Sequence, residues 1–296
     1  MRTTFLRALF TLFIGGDLLA AEQQFLPENT LFLEDNKDKV GLEIEEATFN
    51  KIIDTVTAPF EGLASSHGAQ LVVEKLWDDP TVNAQATQDE SIWTVRFFGG
   101  LARRPEITKD GFALIVCHEL GHHFGGYPFI FEWGPWPLSV EGNADYYATH
   151  YCLRSLWEGQ DNSEYGNTVP KPLKTKCDQT WNDKATRDLC YRISLAGFSA
   201  ADLSSKLNDE PLSIDATDPE EASGTLNWHP VAQCRFDTYV AGALCKVPFN
   251  PQIIPGKDHP SGQRSADAMN EAMRVSCPDS TVGSRPKCWF DPNDVW

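Results

Sequence analysis

Apolar positions recur along this chain with two different periods, and the change of period predicts its elements. Around residues 43–65, Leu42, Ile44, Phe49, Ile52, Ile53, Val56, Phe60 and Leu63 recur at near-helical spacing, which lines one face of a helix. Residues 69–76 (Ala-Gln-Leu-Val-Val-Glu-Lys-Leu) and 91–98 (Ser-Ile-Trp-Thr-Val-Arg-Phe-Phe) are short and rich in β-branched and aromatic side chains, so they predict strands. Gly99-Gly100 ends the second. Thr108 stands where a helix N-cap belongs, ahead of an apolar run to about His123 that Gly125-Gly126 closes. A Trp/Pro/Gly-rich loop from Tyr127 to Pro137 leads to a helix over 139–157. A polar loop to about Trp181, a helix over roughly 182–208, an acidic loop over 209–228 and helices near 231–246 and 264–275 follow, before an irregular tail. Two short strands ahead of a mostly helical remainder give an α+β class, expected as one domain over residues 22–296 with a disulfide-stapled helical C-terminal half.

Composition narrows the setting. The 296 residues are 41% hydrophobic, with nine Trp and seventeen Phe, enough to bury a sizeable core. A net charge of −17 argues against general electrostatic binding of nucleic acid or anionic lipid. Residues 1–21 have the form of a secretory signal: Arg2 and Arg7, then an apolar run from Ala8 to Gly16, with Ala20 and Ala21 as cleavage positions. Beyond it no stretch reaches the length of a membrane span, so the mature chain is expected to be secreted or periplasmic and not inserted in a membrane. The eight cysteines behind that segment read as up to four disulfides. If 231–246 is one helix, Cys234 and Cys245 lie about 16 Å apart along it, too far to pair with each other. Cys277 and Cys288 flank a Pro/Ser/Gly loop and can pair locally, although spacing leaves the connectivity open. Cys117 is expected to staple its helix to another.

The chemistry concentrates in two short stretches. Residues 117–126 read Cys-His-Glu-Leu-Gly-His-His-Phe-Gly-Gly on the apolar helix, and Glu141-Gly-Asn-Ala-Asp145 follows. His118 and His122, four apart, share one helical face and can reach one zinc ion. Glu141 supplies a third ligand. Two His, one Glu and an open position describe a catalytic zinc site, since structural sites are closed by a fourth protein ligand. Glu119, between the two histidines, is the expected general base toward water acidified by the metal. Asp145, four residues beyond Glu141, is placed to orient the His118 ring by accepting from its other N–H. His123, His67, His150 and His259 have no supporting context. Glu132 is a rival third ligand without an acid four residues on.

The helix bearing His118-Glu119-Leu120-Gly121-His122, with Glu141-x-x-Ala144-Asp145 and the later His229-Pro230 and Arg235, resembles the gluzincin peptidases of the HtpX, Oma and CAAX-prenyl-protease type. The resemblance covers mainly residues 91–151 and 228–236. It implies a zincin-like zinc endopeptidase fold with a substrate groove beside an edge strand. It also implies that His229 steadies an oxyanion and that Arg235 helps hold the site together. The strand containing Trp93, Val95 and Phe97 is either the edge to which an extended peptide substrate adds or an ordinary core strand. Tyr127, Phe129, Phe131, Trp133 and Trp136 either line a cleft or pack between the ligand helices. The expected activity is hydrolysis of peptide bonds in a peptide or protein substrate. An inactive peptidase-like binding or chaperone protein, and a zinc hydrolase of cell-wall peptide amides, remain open beside it.

Overall fold

The computed structural model describes residues 21–34, 44–89, 91–130, 138–258 and 265–294. Residues 1–20 of the expected leader lie outside the described residues, as do Phe131, Glu132, Trp133, Trp136 and His259. The chain runs β1 (Ala21–Gln24), α1 (Glu46–Ser66), β2 (Gln70–Leu76), β3 (Ala84–Asp89), β4 (Ile92–Phe98), α2 (Gly99–Ala102) and α3 (Lys109–Phe124). A continuous helical stretch then follows as α4 (Glu141–Tyr147), one π-helical turn (Ala148–Cys152) and α5 (Leu153–Trp157). The remainder is α6 (Tyr165–Thr168), α7 (Lys171–Thr180), α8 (Lys184–Asn208), α9 (Ala232–Leu244) and α10 (Ala266–Arg274). The class is mixed α+β. No helix among the described residues is long and apolar enough to cross a membrane.

The core is built around α3. Every residue of it from Gly111 to Phe124 is buried, so it has no solvent face and its apolar run carries no amphipathic stripe. It begins where Thr108 accepts from the Gly111 N–H at 3.0 Å, a side-chain N-cap. The sheet, α1, α8 and α4 pack around it. α1 contributes Phe49, Ile53, Val56, Phe60 and Ala64 from one face. Phe49 stacks on Phe112 with ring centroids 5.1 Å apart, and Phe60 meets Phe124 at the same distance. Each such ring removes enough apolar surface from water to contribute about 1.5–3 kcal/mol.

The sheet order is β1-β3-β4-β2, with β2 and β4 parallel and the other two pairs antiparallel. The sequence pattern missed β1 and β3. β3 reads Ala-Gln-Ala-Thr-Gln-Asp, and although Ala84, Ala86 and Gln88 alternate as its buried residues, alanine and glutamine carry almost no strand preference. These added strands also correct the expectation for residues 91–98. β4 is hydrogen-bonded on both sides, and Trp93, Val95 and Phe97 are fully buried core residues rather than a free edge. The expected polar loop before Trp181 likewise contains α6 and α7. α7 hides only Leu173, Cys177 and Thr180, a stripe too narrow to stand out from its lysines.

All eight cysteines pair: Cys117–Cys152, Cys177–Cys190, Cys234–Cys288 and Cys245–Cys277. The local Cys277–Cys288 pairing that the sequence allows does not form. The tail passes along α9, so Cys277 meets one end of that helix and Cys288 the other. Cys117–Cys152 ties the centre of α3 to the π-helical turn after α4. Replacing both Cys117 and Cys152 by Ala is expected to lower stability by about 2–4 kcal/mol, read as a shift of the urea midpoint at unchanged slope. A change below about 0.5 kcal/mol would show that α3 and α4 hold their register without it.

Candidate metal centre

Two helix contacts bring the chemistry together. Gly121 faces Ala144 so closely that a Cβ there would lie 2.9 Å from the Ala144 backbone, and only glycine lets α3 and α4 approach this far. Asn143 then donates to the carbonyls of Gly125 and Gly126 at 3.1 and 3.0 Å, closing the C-terminal end of α3 against the start of α4.

The result is a triangle of donor atoms. His118 Nε2 and His122 Nε2 are 3.1 Å apart. Glu141 Oε2 lies 3.3 Å from the first and Glu141 Oε1 3.4 Å from the second. Two donors bound about 2.1 Å from a tetrahedral ion stand about 3.4 Å apart, so these separations fit one shared cation. The ring tautomers fit as well. His122 Nδ1 donates to the Ser139 carbonyl at 2.8 Å, and His118 Nδ1 sits 2.7 Å from Asp145 Oδ1. Both Nε2 lone pairs are thereby turned toward each other and toward a carboxylate. Neither Glu141 oxygen has a hydrogen-bond donor among the described residues, although the side chain is fully buried. Three buried acceptors facing one another require a positive charge between them. His118, His122 and Glu141 can therefore hold a metal ion.

Without metal, a proton takes that role. Burial alone would depress His118, but the Asp145 carboxylate and the Glu141 contact outweigh it and raise the ring to about 9. Burial lowers His122 to about 4. Burial pushes the Glu141 carboxyl up, yet His229, His122 and His118 bring it down to about 2. A carboxyl lowered on folding stabilises the fold above its unfolded value and loses that contribution as pH falls through the folded one. Metal-free protein should accordingly lose Glu141-dependent stability between about pH 4.5 and 2. Urea midpoints measured across that range should fall more steeply for the wild type than for Glu141→Gln; parallel curves would refute the assignment.

Asp145 is the hub behind the ligands. Arg235 Nε and Nη2 each donate to it at 2.8 Å, one to each oxygen, and the Tyr239 hydroxyl donates at 2.8 Å. Burial pushes its carboxyl up, but the Arg235 guanidinium and the His118 ring outweigh that and hold it well below the ordinary range. Tyr239 was not singled out from the sequence. Its signal is its place four residues after Arg235, on the same face of α9. Glu119 is also fully buried, and neither of its oxygens has a partner among the described residues. Burial drives its carboxyl well above the ordinary range.

His229 lies at the rim, its side chain 21% exposed, with Nε2 3.6 Å from Glu141 Oε2. That nitrogen donates to the Gln24 carbonyl at 2.7 Å, and Arg235 Nη1 donates to the next carbonyl, Phe25, at 2.6 Å. No pattern in residues 21–34 marks the N-terminal segment as reaching the site. Trp93, Val95 and Phe97 are not brought to the ligands. Trp93 instead stacks on His123, which is buried against Gln88 and the Thr94 carbonyl. Tyr127 and Phe129 are buried packing residues. Compared with protein-family models, curated proteins and solved structures, the chain matches none.

Proposed function

We propose that this protein is a zinc-dependent endopeptidase of zincin-like architecture, working in the periplasm or outside the cell. The observation that carries the reading is the buried His118–His122–Glu141 triangle with a partnerless carboxyl, Glu119, set between the two histidines in the chain. Two imidazoles and a carboxylate are a donor set suited to zinc, and three protein ligands leave a position for a reactant. A zinc ion held there supplies a Lewis acid that polarises a carbonyl and acidifies water. Glu119, free of competing hydrogen bonds, is the group that takes the proton of the attacking water and returns it to the leaving amine. His229 Nε2 already donates to a backbone carbonyl, which suits it to stabilise charge developing on a substrate carbonyl. Arg235 and Tyr239 fix Asp145, and Asp145 fixes His118. Four disulfides with no free cysteine among the eight agree with an oxidising compartment.

Zinc content and new peptide termini test the proposal. The protein should bind one zinc per chain, and His122→Ala should bind none under the same dialysis; equal zinc in both would exclude His122 as a ligand. Termini are read by mass spectrometry after incubation of zinc-loaded protein with denatured proteins. Because residues 24 and 25 lie on the site, the sample is one in which the chain has been cut between residues 34 and 44 after folding. Full zinc loading with no new termini would overturn the peptidase reading in favour of a binding protein or a different hydrolase.

A further inference from the structure

The approach to the metal centre is already filled, by a strand of the same chain. β1 pairs antiparallel with β3, from Ala21 opposite Gln88 to Gln24 opposite Gln85, and the Phe25 N–H extends the ladder to the Ala84 carbonyl at 3.0 Å. The Gln24 and Phe25 carbonyls on either side of that N–H are those taken by His229 and Arg235. The Phe25 ring is fully buried, edge-on to His118 at 5.2 Å and beneath the Arg235 guanidinium at 4.3 Å. Leu26 is buried as well, its N–H held by Asn83 Oδ1 at 3.0 Å. With this segment in place His118, Glu119, His122, Glu141 and Asp145 are all completely buried.

Ordinary strand chemistry does not account for this arrangement. The β1 residues Glu22, Gln23 and Gln24 are polar and exposed or half-buried. The segment is held by backbone hydrogen bonds, by the buried Phe25 and Leu26 side chains, by Asn83, and by His229 and Arg235 donating to successive carbonyls. That is how an extended peptide ligand adds to a sheet edge: main-chain pairing gives affinity and a side-chain pocket gives selectivity. Removed, it would leave the outer edge of β3 open, a row of unpaired backbone groups beside small side chains.

We infer that Ala21–Leu26 is a built-in peptide ligand occupying the substrate groove of its own chain. The groove therefore takes extended peptides with an aromatic or large apolar residue after the carbonyl held by His229, and the folded protein is latent until the segment leaves. The statement about latency rests on the peptidase reading; the statement about the groove rests on pairing and burial alone.

The test separates the two. A labelled peptide with the sequence of residues 21–27 is titrated by fluorescence anisotropy into metal-free full-length protein, into its Phe25→Ala variant, and into protein with a specific protease site placed within residues 35–43 and cut after folding. The chain ahead of residue 35 contains no cysteine, so nothing covalent retains the N-terminal fragment after the cut. The intact protein should not bind, whereas the Phe25→Ala and severed forms should. A peptide with Ala in place of its Phe should bind at least about tenfold more weakly, the least that full burial of a large apolar side chain contributes. Equal binding by intact and severed protein overturns the inference. So does a cooperatively folding severed protein that binds no peptide, or one whose N-terminal fragment resists displacement by excess peptide. With zinc restored, cleavage of added protein by the severed form alone supports both statements. Peptide binding without cleavage keeps the groove and removes the peptidase, and equal cleavage by intact and severed forms keeps the peptidase and removes the latency.

Discussion

Glu119→Gln should retain the fold and one zinc per chain while losing two to four orders of magnitude in peptide hydrolysis, the usual contribution of a positioned general base. The structure makes this substitution unusually clean. Glu119 has no hydrogen-bond partner among the described residues, so no donor is orphaned by removing its charge. In metal-free protein burial already favours its uncharged form, and the amide has nearly the same volume. Stability should therefore stay the same or rise slightly. The measurement is a progress curve on the severed, zinc-loaded protein, with zinc content and urea midpoint determined on the same preparations. Activity within tenfold of the wild type would remove Glu119 as the base. Loss of both zinc and activity would instead make it part of the metal's support.

The second large effect falls on stability. Arg235→Met should cost about 3–5 kcal/mol, because it leaves the Asp145 carboxylate buried without its two-pronged partner. The methionine fills the space of the aliphatic stem, so most of the loss is electrostatic. The Phe25 carbonyl also loses its Nη1 donor. Adding Asp145→Asn to Arg235→Met should recover part of the deficit, since the unpaired charge is gone, and the two changes should be strongly non-additive. Urea unfolding of metal-free proteins reads both. Asp145→Asn alone should weaken zinc binding by about 10–100-fold, as loss of a ligand-orienting carboxylate does. A cost below about 1 kcal/mol for Arg235→Met, or simple additivity in the double variant, would mean that the pair does not organise the site.

Much of the candidate metal site was legible in the sequence because helical spacing is local geometry. His118 and His122 must share a face, Glu119 must lie between them, and Glu141 and Asp145 must share a face of the next helix. Arg235 was named only through resemblance, yet its partner on that face, Tyr239, follows from the same four-residue rule. The cysteines were legible in one respect: the length of α9 forbids a Cys234–Cys245 bond. The choice of the true partners depended on the path of the tail, which no spacing records.

Sequence by itself determined the long helices, the strands β2 and β4, the mixed class and the donor set, because each is written in periodicity or in side-chain type within one element. Tertiary structure alone decided what those elements face. It made β4 a central strand by adding β3, whose alanines and glutamines carry no strand pattern. It placed β1, a polar segment of four residues, on the outer edge of β3 and over the centre. Backbone hydrogen bonding and the reach of His229 and Arg235 fix that placement, and neither depends on the hydrophobic pattern that a sequence reading follows.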